Sequence, residues 1–577
     1  MNTLTSLATR ATLVVLLNSL AACGGGSSLA PGVSADPPAT PPPPAADAPA
    51  LALTLQSAKT FRFTWADVTG ETEYRLLEDP DGTSGYTSLT PQPLPADTTA
   101  HEHTVFLPAR VNARYILQAC KGGTCLDSAP VSVAGNLAQA IGFLKSDVPT
   151  ADDEFGYSVA LSSDGGTLAV GAPGESSAVT GIATQEPPSA NDMPNSGAVY
   201  VFVRQGQRWQ QQAFVKASTS TMTDRFGESL ALSVTGDALA VGAPGRDARG
   251  VVYTFTRSHG AWSERQMLAA SVSGPNERFG HSLAMSAAGH VLMVGDPRES
   301  QFHDDSGAVY VFTHDGTQWN EHVTLKANFP WPNAGFGTSV SLNAAGDLLA
   351  VGAPDSDSMG FSRGSAHVFM LGGMGWQEQA ELKAPHATID LQFGTSVALS
   401  ADGSTLAVGA RGDASAAKGV DGDPQDDSAS LAGAVHVFSR DGVNWPYQAY
   451  LKASNTDMDD NFGRAVSLSA NGDTLVIGAP FERSTADGIN GNQDSNGSSG
   501  VGAAYVFKRH GLAWSQRAYV KAPNSGGDDR FGGGLALSAD GQTLAIGATG
   551  EASSASGWNG AHDSNNDQPG AGAVYLY

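Results

Sequence analysis

The residues that could do chemistry fall into a few groups. Two acidic runs, Asp421-Gly-Asp423-Pro-Gln-Asp426-Asp427 and Asp563-Ser-Asn-Asn-Asp567, hold carboxylates at the spacing of oxygen ligands, which makes calcium the cofactor to consider. Neither run completes a binding loop, so no cofactor is certain. Cys120 and Cys125 flank Lys-Gly-Gly-Thr, a tight hairpin loop, and read as a disulfide in an oxidising compartment. A metal pair there would lack His or further Cys nearby. Trp331 and Trp558 stand outside the periodic Trp positions described below, and with carboxylates nearby they would suit sugar stacking, a cationic partner or a bound cation. Arg411-Gly412-Asp413 is an Arg-Gly-Asp tripeptide. The sequence has no Gly-x-Ser-x-Gly, no His-Glu-x-x-His and no phosphate loop, and most His residues are scattered singly. No enzyme is expected.

The amino-terminal residues carry a different chemistry. Arg10 is the only charge before Cys23, and the apolar run from Ala11 to Leu17 is too short to span a bilayer. Leu20-Ala21-Ala22-Cys23 resembles a bacterial lipobox. The resemblance implies removal of residues 1–22 and a diacylglycerol on the Cys23 sulfur. Gly24 after the Cys resembles lipoproteins sent to the outer membrane, so a lipid-anchored place in the cell outer membrane is expected. Residues 23–49 are rich in Pro, Gly and Ser, end in Pro41-Pro42-Pro43-Pro44, and read as an extended linker.

The chain of 577 residues is too long for one ordinary domain. Gly is abundant, at 69, and only 15% of residues are charged, which favours turn-rich β structure over helix bundles. The net charge of −25 repels phosphates and anionic lipid. Nucleic acid is excluded as a partner on that ground, and the membrane is reached through the lipid only.

Residues 50–134 alternate apolar and polar side chains, as in Phe61-Arg62-Phe63-Thr64-Trp65 and Tyr115-Ile116-Leu117-Gln118-Ala119. The order Trp65, Tyr74, then Tyr115-x-Leu117-x-Ala119 resembles a fibronectin type III sandwich.

Residues 135–577 are repetitive. Phe-Gly recurs at 155, 226, 279, 336, 393, 462 and 531. Each copy opens a block such as Phe393 to Ala410, followed by a loop of variable length, a block like Gly-Ala-Val-Tyr-Val-Phe, a short turn, a Trp and a segment like Gln448 to Ala453. Four strand candidates per repeat match the blades of a propeller. Phe-Gly paired with Gly-Ala-Pro, as at Gly171-Ala-Pro173 and Gly478-Ala-Pro480, resembles the FG-GAP repeats of the integrin α-chain propeller. The expected fold is therefore all-β: a seven-bladed β-propeller preceded by a small fibronectin type III-like sandwich. The last repeat stops at Tyr577 without a Trp segment, and Gln139 to Lys145 matches that missing strand in register, so it should close the ring. The integrin calcium loop is not carried over, because turns such as Ala401-Asp402-Gly403 hold one carboxylate.

Periodic residues read as structural. Trp209, Trp262, Trp319, Trp376, Trp445 and Trp514 pack between blades, and His367 and His436 replace the Tyr found at the same place in other repeats. Lys216, Lys326, Lys383, Lys452 and Lys521 are expected to snorkel at blade edges.

Links between strands one and two and between three and four are short and share one face. Those between two and three and between repeats are long, varied and acidic, with Asp152-Asp153, Asp459-Asp460 and Asp528-Asp529 before Phe-Gly. Binding is expected on that long-loop face. The leading expectation is an adhesion or recognition module for a protein or glycan ligand at the cell envelope. A periplasmic scaffold for envelope assembly is the alternative, and a glycan-acting enzyme the third. The Arg-Gly-Asp tripeptide, known from adhesion ligands, is a candidate ligand-binding element.

Overall fold

A computed structural model describes residues 48–133, 137–187, 191–301, 303–356, 362–386, 390–559 and 565–577. The expected leader, the lipid site at Cys23 and most of the linker lie outside the described residues, as does Asp563. Regular structure among the described residues is strand, apart from short 3-10 turns at Leu107–Ala109, Leu137–Ala140 and Arg246–Ala248.

The repeating unit is seen in residues 158–215. Ser158–Leu161, Thr167–Ala172, Ala198–Gln205 and Arg208–Val215 pair antiparallel in that order, with Ile182–Ala183 added at the outer edge. The second strand, Thr-Leu-Ala-Val-Gly-Ala, is buried throughout. It is covered by a neighbouring sheet on either side, which is why its apolar residues run on without alternating. The same meander restarts at Ser229, Ser282, Ser339, Phe393, Ala465 and Phe531.

The sheets form a closed ring. The first strand of each packs on the first strand of the next, and Phe531–Leu537 returns to Ser158–Leu161. The turns between first and second strands are stitched by a cycle of backbone hydrogen bonds. It runs from the Ser163 N–H to the Val234 carbonyl, then through Ala287, Ala344, Ala401, Ala470 and Ala539 back to Ser163, at 2.9–3.1 Å. The Phe-Gly and Gly-Ala-Pro glycines meet across each sheet boundary. A Cβ on Gly171 would lie 2.1 Å from the Gly227 carbonyl oxygen, and one on Gly547 would lie 1.9 Å from that of Gly156. The motif is thus a close-packing device in which only hydrogen fits. Each Phe of Phe-Gly is buried against the aromatic ring of the third strand, as in Phe155 on Tyr200 at 5.1 Å; His367 and His436 occupy that place on Phe336 and Phe393 at 5.3 and 5.4 Å.

The ring is closed by a strand from its beginning. Gly142–Leu144 pairs antiparallel with Ala573–Leu576, matching Gly142 to Leu576 and Leu144 to Val574. It supplies the outermost strand of the sheet that holds Phe531–Leu537 and Leu544–Ala548.

Residues 48–133 form two sheets around one apolar core. Ala52–Gln56, Thr60–Thr64 and Ala100–Thr104 make the first, while Glu73–Asp79 and Arg114–Lys121 centre the second. Phe61, Phe63, Trp65, Tyr74, Leu76, Tyr115 and Leu117 are all buried between them. Cys120 and Cys125 face one another across the hairpin Arg114–Lys121/Thr124–Asp127 and are joined by a disulfide. This portion docks on the short-turn face of the ring. Lys59 reaches the Gln542 carbonyl and the Thr543 hydroxyl (2.6 Å), and Arg204 donates to Thr104 (3.3 Å). One apolar cluster runs from Phe61 through Ile141 and Phe143 to Tyr575 and Tyr577.

Candidate functional site

The opposite face gathers the long loops. Loops between second and third strands are bonded to the links that lead into the next sheet: Asp152 N–H to Pro569 (2.9 Å), Thr223 N–H to Pro194 (2.9 Å) and Asn333 N–H to Asp304 (2.7 Å). Asp459 and Asp528 bond Ser430 and Ser499 in the same way. The short-turn face thus carries the small sheets, and the long loops gather on the other.

Beneath these loops lie buried ion pairs that correct the surface reading of the periodic lysines. Lys145, Lys216, Lys452 and Lys521 have fully buried side chains paired with Glu551, Glu175, Asp413 (3.0 Å) and Glu482 (2.8 Å). Burial pushes all these ammonium groups below the usual lysine range. The second Asp of each acidic run is buried in the same place. Burial raises Asp153 to about 7, Asp460 to about 8 and Asp529 to about 7. Each carboxyl is also held from its own link, as where Thr150 N–H and hydroxyl donate to Asp153. The substitutions are correlated within this one chain. In the sheet 339–382, Ala334 and Ser356 stand at the two acid positions, and there Lys383 is exposed and, among the described residues, pairs with Glu381.

A second repeated element follows each paired carboxylate by six residues. Gly181-Ile182, Gly419-Val420, Gly488-Ile489 and Gly557-Trp558 adopt a positive φ at Gly and then pair with the fourth strand. The Gly carbonyls accept from the backbone N–H of Lys216, Lys452, Lys521 and Lys145. The next residue, Asp421, Asn490 or Asn559, accepts the N–H of Tyr450, Tyr519 or Phe143 on its side chain at 2.8–3.0 Å. Trp558 is therefore periodic after all. It bridges to Leu144, and a Cβ on Gly142 would meet its ring at 2.7 Å. Trp558 also lines a groove of about 450 Å³ together with Arg208 and Trp209.

Among the described residues, the carboxylates of the acidic runs do not converge as a group of three. Asp421 serves strand pairing, Asp423 and Asp426 accept N–H groups of Gln425 and Ser428 within their own turns, and Asp427 and Asp567 are exposed. Among the described residues, the one group of three carboxylates within 4.8 Å of one another is Asp67, Glu71 and Asp97, on the small sheets. Asp67 and Glu71 already accept from Tyr74 and from the Asp97 N–H.

The Arg-Gly-Asp tripeptide is folded inward, against its reading as a displayed ligand element. Asp413 is 3% exposed and takes the Lys452 ammonium and the Tyr450 hydroxyl (2.8 Å). A Cβ on Gly412 would lie 1.9 Å from the Asp390 carbonyl oxygen. Arg411 is half-buried and donates to Gln392 (2.6 Å).

The long-loop face also presents apolar side chains. Trp331 is 37% exposed and Phe329, two residues earlier, 76%. Met222 and Val272, on the two preceding links, are also exposed. The stretch Phe329-Pro-Trp-Pro carries a signal for this patch, two aromatics on a Pro-stiffened link, that attention to Trp331 alone passes over. Glu228 is buried, which by itself would raise its carboxyl, yet Arg225 (2.6 Å), Arg278 and His281 (3.3 Å) hold it down to about 2.

A model of the FG-GAP repeat family matches residues 144–202, 209–255, 262–312, 319–369, 376–438 and 445–507. No curated protein matches the chain. Solved structures that resemble it include a β-propeller domain from Myceliophteria thermophila, at 11% identity and TM-score 0.43, covering 76% of this chain and 99% of that one. The periplasmic gluconolactonase of Pseudomonas aeruginosa matches at 15% identity and TM-score 0.40, covering 78% and 97%. A putative 6-phosphogluconolactonase of Bacteroides fragilis matches at 12% and 0.40, covering 79% and 98%.

Proposed function

The chain belongs to the FG-GAP repeat family, and from that we propose that it is a non-enzymatic binding module, a seven-bladed propeller carried behind a fibronectin type III-like sandwich, which takes a protein or glycan ligand on its long-loop face. The observation that carries this reading is the exposure of Met222, Val272, Phe329 and Trp331 on successive links of that face. Exposed apolar side chains on a rigid scaffold are candidates for interaction sites. The opposite face is already covered in part by the sandwich, which leaves the long loops as the accessible surface. Cys23, with its lipobox-like surroundings, supports an envelope location, with the propeller held away from the membrane by the Pro-rich linker. The test is an array of glycans and envelope proteins probed with residues 48–577. Bound ligands that are lost with F329A/W331A support the reading. Ligands lost instead with substitutions at the short turns Asp164 or Asp402 would overturn it.

A further inference from the structure

A cavity of about 490 Å³ opens between the small sheets and the sheet Ala465–Val520. It lies on the opposite side of the molecule from the long-loop patch and owes nothing to that reading. Its volume falls within the range of small-molecule sites, which favour domain junctions.

The lining is basic in a chain of net charge −25. Arg110 enters from the small sheets, and Lys508, His510 and Arg517 from the third and fourth strands of the propeller sheet. One acid, Asp81, shares the lining, and its carboxylate is taken up by Thr83 and Ser84 in its own turn at 2.6–2.9 Å. Arg110 pairs with Glu78 through Nε at 2.7 Å. Lys508 donates to the Thr474 hydroxyl (3.0 Å), and Arg517 lies 2.8 Å from His510 Nε2. Both of those partners are neutral when His510 accepts. Among the described residues neither Lys508 nor Arg517 has a carboxylate within 4 Å. Phe106, Pro108 and Val111 supply an apolar wall.

We propose that this junction cavity binds a small molecule through an oxyanion group, carboxylate or phosphate, held by Lys508 and Arg517 with its apolar body against Phe106 and Val111. The planar guanidinium matches either oxyanion in a forked geometry, and the ammonium adds a point charge. A ligand seated there touches both portions of the chain, so it stabilises the folded form by mass action.

The experiment titrates residues 48–577 with benzoate and, separately, phenyl phosphate, and reads heat of binding and melting temperature at constant chloride. Saturable binding of either one, weakened tenfold or more in K508A/R517A, supports the proposal. The stronger of the two identifies the oxyanion. R517Q, at an exposed position, repeats the test if the double variant melts early. Failure of both probes to bind at millimolar concentration, or affinity unchanged in R517Q and the double variant, overturns it.

Discussion

Lys145 and Glu551, 406 residues apart in sequence, form a buried ion pair in the sheet that closes the ring. Replacing Lys145 by Met leaves the Glu551 carboxylate buried without its partner. Breaking a buried pair in this way costs about 3–5 kcal/mol. Denaturant unfolding of K145M should show a loss of that size, while K383M, whose ammonium is exposed, should unfold like the parent.

The raised acids give stability a particular pH dependence. Asp153, Asp460 and Asp529 sit at about 7, 8 and 7 in the fold against 3.8 for the free side chain. The folded protein therefore keeps protons that the unfolded chain has released. Their contribution is complete below 3.8 and is lost as pH rises through 7 to 8. The buried lysines, with lowered values, act in the opposite sense toward the alkaline side. Melting temperature between pH 5.5 and 8.5 should fall less steeply in the triple variant D153N/D460N/D529N than in the parent.

The two tryptophans should separate. W558A removes the indole that meets Leu144 and Gly142, and a loss of about 2 kcal/mol is expected from partial burial of so large a group. W331A should leave the melting curve within about 0.5 kcal/mol of the parent, as surface changes do, and lower ligand binding.

Asp413 gives a test of the tripeptide. D413A strands the buried Lys452 ammonium and should cost about 3–5 kcal/mol. A soluble Arg-Gly-Asp peptide should not compete with the folded protein for any partner, because the carboxylate it mimics is not displayed. Competition at micromolar peptide would count against the inward geometry.

The repeats were legible because their glycines answer to contact: no side chain fits where Gly171 meets Gly227, so the motif cannot drift. The strand 142–144 could be found by the same register logic. A Lys in a polar repeat looks solvated, and the buried pairing leaves only a faint mark in the sequence, the joint absence of acid at Ala334 and Ser356 in the repeat whose Lys383 is exposed. Trp558 looked unique because loops of different length hid its equivalence to Val420 and Ile489. Loop length hides the equivalence of Asp421 too; its counterparts are Asn490 and Asn559, which accept the same backbone N–H. Phe329 has no counterpart in the other repeats, so periodicity gives no signal for it.

The pairing of Gly142–Leu144 with Ala573–Leu576 has a kinetic consequence. The opening strand emerges from the ribosome some 430 residues ahead of its partner, and at roughly 5–20 residues per second it waits about 20–90 seconds with an unpaired edge. Over that interval the nascent array is an open arc with two adhesive ends, able to pair with a neighbouring chain in the same state. A holding chaperone that shields the first end, or passage through the secretory pore before folding, would raise the yield of closed rings. Slowing synthesis late in the coding sequence would lower it.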